Sequence, residues 1–181
     1  MPTHTDSDDH EAWFAEALER FERPLTRYAR GFTRDLERAR DVVQDTFLKL
    51  LRQDRAALED HLAEWLYTVC RNGALDVCRK EGRMTTSDET GFATLPSVAP
   101  PPDARLLHEE THDQVLGLIE RLPERQRECI RLKFQHGLSY KEISRITSHS
   151  VSYVGVLIHT GMKTLRQRLG ALTPETGGTP S

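Results

Sequence analysis

Apolar residues recur every three to four positions along most of the chain, a spacing that predicts amphipathic helices. Trp13, Phe14, Ala17, Leu18 and Phe21 mark the first, which Pro24 kinks or restarts before Leu25, Tyr28, Ala29 and Phe32 extend its apolar face. Asp35 is placed to cap a second helix, with Leu36, Ala39, Val43, Phe47, Leu50 and Leu51 on its buried side. Residues 52–60 read as a loop or broken helix. The period resumes over 61–83, with Leu62, Trp65, Leu66, Val69, Gly73 and Val77 inward. It stops over 84–103, where Pro96, Pro100, Pro101 and Pro102 stand among Thr and Ser and predict a partly extended linker. Residues 104–121 return to helix before Pro123, and 124–135 form another, closed by His136-Gly137 with glycine at C′.

The sharpest local signals lie in residues 138–169. Ser139 followed three residues later by Glu142 is a capping box, and Tyr140, Ile143 and Ile146 give the short helix after it an apolar stripe. Residues 147–150 interrupt the helix, and Ser150 is an N-cap for a longer one whose Val154, Leu157, Ile158, Gly161, Leu165 and Leu169 share a face. Two helices joined by a tight polar turn make a helix-turn-helix, the second helix of which commonly lies in a DNA major groove. An ordinary helical hairpin in a bundle has the same pattern.

Charge divides the chain into blocks that the net −3 of its 181 residues conceals. Residues 1–22 carry −6, 23–83 carry +3, 84–113 carry −5 and 114–181 carry +5. Two mildly basic blocks around an acidic connector suit two small nucleic-acid-facing domains. No run of about 18 apolar residues suggests a membrane span, and the acidic start lacks a signal-peptide pattern, so a cytoplasmic protein is expected. Cys70, Cys78 and Cys129 form no CxxC pair. Eight residues along one helix would hold Cys70 and Cys78 about 12 Å apart, too far for a disulfide, so buried thiols are expected, with redox sensing the lesser alternative.

Two polar faces carry candidate chemistry. Asp41, Gln44, Asp45 and Leu48 fall at i, i+3, i+4 and i+7, a single helix face that suits either solvent or a basic, partly apolar partner. Asn72, Asp76, Arg79 and Arg83 share another, flanked by Arg71 and Lys80. Beside exposed aromatic rings, amides and guanidinium groups there could hold the bases and phosphates of an opened strand, unless Trp65 and Tyr67 belong to the core. His108-Glu109-Glu110-Thr111-His112 matches the zinc-hydrolase pattern H-E-x-x-H. Its acidic setting after the proline run, and the lack of an evident third ligand or sheet, weigh against an enzyme.

Set in order, these segments resemble bacterial RNA polymerase sigma factors of the extracytoplasmic-function group: DVVQDTF their polymerase-clamp helix, WLYTVCRNGALDVCRK their promoter-melting helix, and LPERQRECIRLKFQHGLSYKEIS with the helix after it their −35-reading domain. The resemblance covers about residues 12–170. It implies an all-α protein with a disordered acidic N-terminus (1–11), a region 2-like domain (12–83), a linker (84–103), a region 4-like helix-turn-helix domain (104–170) and a disordered tail (171–181). Asp41, Gln44, Asp45 and Leu48 would contact the β′ clamp of core RNA polymerase; Arg55, His61, Arg71, Asn72, Asp76, Arg79 and Lys80 would hold the −10 strand. Arg127, Lys141, Ser150, Ser152, Tyr153, His159, Thr160, Lys163 and Arg166 would grip −35 DNA. Implied partners are core polymerase (β′ clamp and β flap), promoter DNA and an anti-sigma protein, with no cofactor, no metal, no catalysis and no membrane insertion.

The sequence also departs from that family. Relatives usually carry Lys or Arg near Gly155 and Leu157, and Arg near Thr160, whereas this helix is short of cations until Lys163, Arg166 and Arg168. The −10 loop also lacks the aromatic and glycine often found there. Phosphate contacts supply much of DNA affinity, so isolated −35 binding is expected to be weak, and the exposed apolar residues also suit a protein contact. A polymerase-independent helix-turn-helix regulator and a sigma-like protein-binding module are the alternative functions.

Overall fold

The computed structural model describes residues 4–85 and 115–172, and every regular element among them is helical, as the periodicity predicts. The chain divides into two compact units. The first contains α1 (His4–Thr33), α2 (Leu36–Leu50), the single turn α3 (Arg55–Leu58) and α4 (Leu62–Thr85). α1 begins inside the stretch 1–11 expected to be disordered, and it runs through Pro24 as one helix. A mid-helix proline removes one backbone donor. The carbonyl it strands belongs to exposed Arg20, where water can satisfy it, and packing of α1 on both α2 and α4 holds the helix together. Arg34, at φ +55°, ends α1 in the left-handed region, and Asp35 caps α2 by accepting from the Arg38 amide at 2.8 Å.

Phe21, Leu25, Tyr28 and Ala29 of α1 are buried together with Ala39, Val42, Val43, Phe47 and Leu50 of α2. Leu36 and Leu51, expected in this core, are 38% and 47% exposed. Leu36 sits in the first turn of α2. Leu51 lies beyond the last, about 40° further round than Phe47 at 100° per residue. On α4 the fully buried residues are Leu66, Tyr67, Cys70 and Ala74, while Leu62, Trp65, Val69, Gly73 and Val77 are half-buried, so the inward face is turned from the expected one. Tyr67 meets Tyr28 edge-on at 5.2 Å, and burial raises its hydroxyl pKa. Gly73 admits α2 closely: a Cβ there would stand 3.2 Å from Val42 Cγ1. α4 continues to Thr85, into the stretch expected to be linker; the rest of that linker, the His108–His112 pattern and the tail from 173 lie outside the described residues.

All three thiols are free, Cys70 and Cys129 buried and Cys78 half-buried. Burial pushes the Cys70 thiol up to about 12, against a smaller lowering by Thr46, and its Sγ donates to the Leu25 carbonyl at 3.8 Å. Because the thiolate is the nucleophile, a native-state alkylation time course at pH 8 should show fast modification of Cys78 alone among the three. Cys70 and Cys129 should react only after denaturation; equal rates for all three would contradict this core.

The second unit contains α5, described over 115–120, then α6 (Glu124–Ile130), most of α7 (Tyr140–Thr147) and α8 (Val151–Leu172). α6 widens into a π turn, Arg131–Gln135, and Gly137 at φ +71° reverses the chain. Leu118, Ile119, Leu122, Ile130 and Leu165 form a core with Val115, Met162 and Leu169 packed against it. α6 crosses α8 at Gly161, where a Cβ would fall 2.5 Å from Ile130 Cδ1. The capping box of α7 is formed as predicted, with Ser139 Oγ accepting from the Glu142 amide at 3.3 Å and Glu142 Oε2 from the Ser139 amide at 2.7 Å. Tyr140, expected in the apolar stripe of α7, is 38% exposed, its ring 5.6 Å from Lys133 Nζ.

Candidate functional site

Three exposed surfaces contain most of the side chains that the sequence singles out. On α2, Asp41, Gln44, Asp45 and Leu48 are all exposed, on the side opposite the buried Ala39–Val43–Thr46–Leu50 stripe. Among the described residues neither Asp41 nor Asp45 has an ion pair, whereas the nearby acid Glu37 is bound by Arg40 at 2.6 Å. Two unneutralised carboxylates beside a half-exposed leucine make a surface that a cationic, partly apolar partner can satisfy.

This face borders a groove of about 940 Å³ between α1 and α2 that sequence reasoning missed. Gln44 and Leu48 belong to both surfaces; Leu18, Leu36 and Leu51 add apolar area, and Arg23, Arg27 and Arg30 line the α1 side. Its signal was present but misassigned, because helical periodicity places those leucines in the core and cannot tell a core from an unfilled groove.

On α4, Asn72, Asp76, Arg79 and Lys80 are exposed. Arg79 pairs with Asp76 at 3.2 Å, both well solvated, a pair worth about 0–1 kcal/mol and therefore easily exchanged for a phosphate contact. Arg71 is half-buried and has an interaction of its own, so it stands apart from this strip. Arg55 and His61 are exposed before α4, and Arg55 lines a small cleft with Glu16 and Arg20 of α1. At about 1.5 Å per residue, Asn72 lies some 16 Å along the chain's helical axis from His61, so these residues form a track rather than one pocket. Tyr67 is buried, so no base can stack on it; Trp65 is half-buried.

In the helix-turn-helix, Ser148 at φ +58° makes the turn, and Ser144 Oγ donates to the His149 carbonyl across it at 2.6 Å. Ser150 is an N-cap as predicted: its Oγ accepts from the Tyr153 amide at 3.2 Å. Val154, Leu157, Ile158, Gly161 and Leu165 of α8 are buried, and Ser152, Tyr153, Val156, His159, Thr160, Lys163 and Arg166 are exposed, the division that the periodicity predicts. Lys141 is exposed on α7.

Arg127, expected on the DNA side, is largely buried. Its side chain is only 18% exposed, and the guanidinium donates to the Glu120 carbonyl at 3.0 Å with the Glu120 carboxylate 3.8 Å away. It closes the C-terminal end of α5, where carbonyls lack helical partners and attract cations. Arg131 is paired with the same carboxylate, and burial lowers its pKa. Sequence reasoning also passed over Phe134, which the π turn leaves 60% exposed.

Comparison with known proteins agrees with this arrangement. Residues 17–84 match the family model for sigma-70 region 2, and residues 112–165 that for sigma-70 region 4. Among curated relatives, the ECF RNA polymerase sigma factor SigM of Bacillus subtilis is 27% identical over 159 residues, spanning 87% of this chain and 93% of that one. Two solved structures share the fold at 23% identity. The sigma factor RpoE, crystallised with the anti-sigma factor NepR from Bartonella quintana, aligns with a TM-score of 0.65 over 87% of this chain and 96% of its own. CnrH, in complex with the cytosolic domain of CnrY, aligns with a TM-score of 0.59 over 90% and 91%.

Proposed function

Since the chain belongs to the extracytoplasmic-function group of sigma factors, transcription initiation factors and not enzymes, we propose that it binds core RNA polymerase, directs it to specific promoters and helps melt their −10 region. The observation that carries this reading is the α2 face, where Asp41, Gln44, Asp45 and Leu48 stand exposed together inside the region 2 match, the two carboxylates without an ion pair among the described residues. That face docks on the β′ clamp. Asn72, Asp76, Arg79 and Lys80 hold the opened −10 strand, with Arg55 and His61 at its edge, while α8 and Lys141 engage −35 duplex. Arg127 holds α5 rather than DNA. Exposed Phe134 offers an apolar contact for the β flap. An anti-sigma protein covering the α1–α2 groove would also cover Gln44 and Leu48, and so exclude the clamp. All of this takes place in the cytoplasm, where polymerase and chromosome are.

The test is run-off transcription with purified core polymerase on a library of genomic promoter fragments. Transcripts that appear only when this protein is added are expected, and their start sites give the promoter sequence. No transcripts from well-folded protein, together with no binding to core, would overturn the reading and favour the polymerase-independent regulator. Binding to core without any transcript would favour the protein-binding module.

A further inference from the structure

The outward side of α8 has an unusual chemistry for a helix that meets DNA. From Val151 to Met162 it carries no Lys, Arg, Asp or Glu, a span of twelve residues and about 18 Å that includes the N-terminal turns which read base edges in this motif. Its exposed residues there are Val151, Ser152, Tyr153, Val156, His159 and Thr160. Val156 is 57% exposed, the most solvated large apolar residue of the helix. Thr160 Oγ1 donates to the Val156 carbonyl, so the proton of its hydroxyl is committed to the helix, while its γ-methyl can serve as an apolar contact. Ser150 has its oxygen engaged as the N-cap, and the Tyr153 ring rests edge-on against His149 at 5.2 Å.

Each base has its own requirement in the major groove. Guanine is read bidentately by Arg or Lys, adenine by Asn or Gln, cytosine by a carboxylate and the thymine C5-methyl by an apolar contact, while Ser and Thr hydroxyls serve several bases and discriminate less. The first three residue types are missing from the exposed part of α8 before Lys163, whereas apolar contacts are offered by Val151, Val156 and Thr160, the last two one helical turn apart. That turn advances about 6 Å, close to two base steps of about 3.4 Å. We infer that α8 reads its promoter element through thymine methyl groups, with Val156 and Thr160 as the specificity-determining residues, and that Lys141, Lys163 and Arg166 supply phosphate contacts. The inference rests on the reading of α8 as the helix that meets −35 duplex.

Deoxyuridine tests it, since replacing thymine with it removes only the C5-methyl and leaves base pairing intact. Holoenzyme made from core polymerase and the full chain would select promoters from a library in which ten base pairs at −35 are randomised ahead of a fixed −10 element. Selected elements are expected to carry neighbouring thymines. Replacing each by deoxyuridine should lower open-complex formation about fourfold per methyl, the value of one buried apolar carbon. In Val156→Ala holoenzyme, which keeps a strong helix former at an exposed position, the response to one of those replacements should disappear. Elements rich in G·C that ignore deoxyuridine would overturn the inference. So would an absence of any enriched sequence from holoenzyme that still opens the fixed −10 promoter; the exposed apolar residues would then belong to a protein contact. Failure to open any promoter would overturn the sigma reading itself, and this inference with it.

Discussion

Asp45→Arg should abolish polymerase-dependent transcription while leaving the fold intact. Asp45 is exposed on the outward side of α2 and has no ion pair among the described residues, so its replacement breaks no intramolecular contact. Arginine is as good a helix former as most residues, and surface changes of this kind move stability by about 0.5 kcal/mol or less. At the interface the effect is double: one attraction disappears and a like-charge repulsion of several kcal/mol arises against a basic partner. Core binding and run-off transcription are therefore expected to fall by about a hundredfold or more, equivalent to about 3 kcal/mol. Glu19→Arg, an exposed acid of α1 that lines neither the groove nor the Arg55 cleft, should change neither by more than about twofold and controls for net charge. Wild-type transcription from Asp45→Arg with an unchanged melting curve would remove α2 from the polymerase interface.

Local signals were legible in this sequence wherever a single side chain makes a single bond to nearby backbone. Asp35, the Ser139–Glu142 box and Ser150 all cap the helices they were expected to cap. Faces were legible where one apolar stripe meets one core: both the inward and the outward residues of α8 fall as the periodicity places them. The second group of features depends on neighbours that one sequence does not supply. The inward face of α4 is set by the Tyr28–Tyr67 contact and by Gly73 closing on Val42, which bring Tyr67 and Cys70 into the core. Arg127 reads as a DNA-facing cation until α5 presents it with the free Glu120 carbonyl seven residues back. The leucines of the α1–α2 groove obey a core period although none of the described residues of that unit fills the space. The candidate faces of α2, α4 and α8 were therefore visible as residue sets, but which of their members stand exposed emerged only from packing.

Freedom to bind decides the second large effect, which belongs to α4. The double variant Asn72→Ala, Arg79→Glu should leave core binding unchanged and eliminate opening of duplex promoters. Both residues are exposed, and Arg79 gives up only a solvated pair with Asp76. A side-chain amide on a base edge is worth about 1–3 kcal/mol, or about 5- to 150-fold. Reversing the arginine removes its hold on one phosphate and adds repulsion. Together these should lower holoenzyme affinity for a single-stranded −10 oligonucleotide by about a hundredfold. The salt dependence should flatten by about 0.7, the share of a single phosphate on an unpaired strand. Arg71→Ala should have a much smaller effect on the oligonucleotide, since Arg71 is half-buried and already engaged. The two holoenzyme measurements separate the helices: α2 changes remove both core binding and oligonucleotide binding, whereas α4 changes remove only the second. Full oligonucleotide affinity in the double variant would show that the exposed strip of α4 is a solvated helix face, and would move strand capture to Arg55, His61 and the turn before the helix.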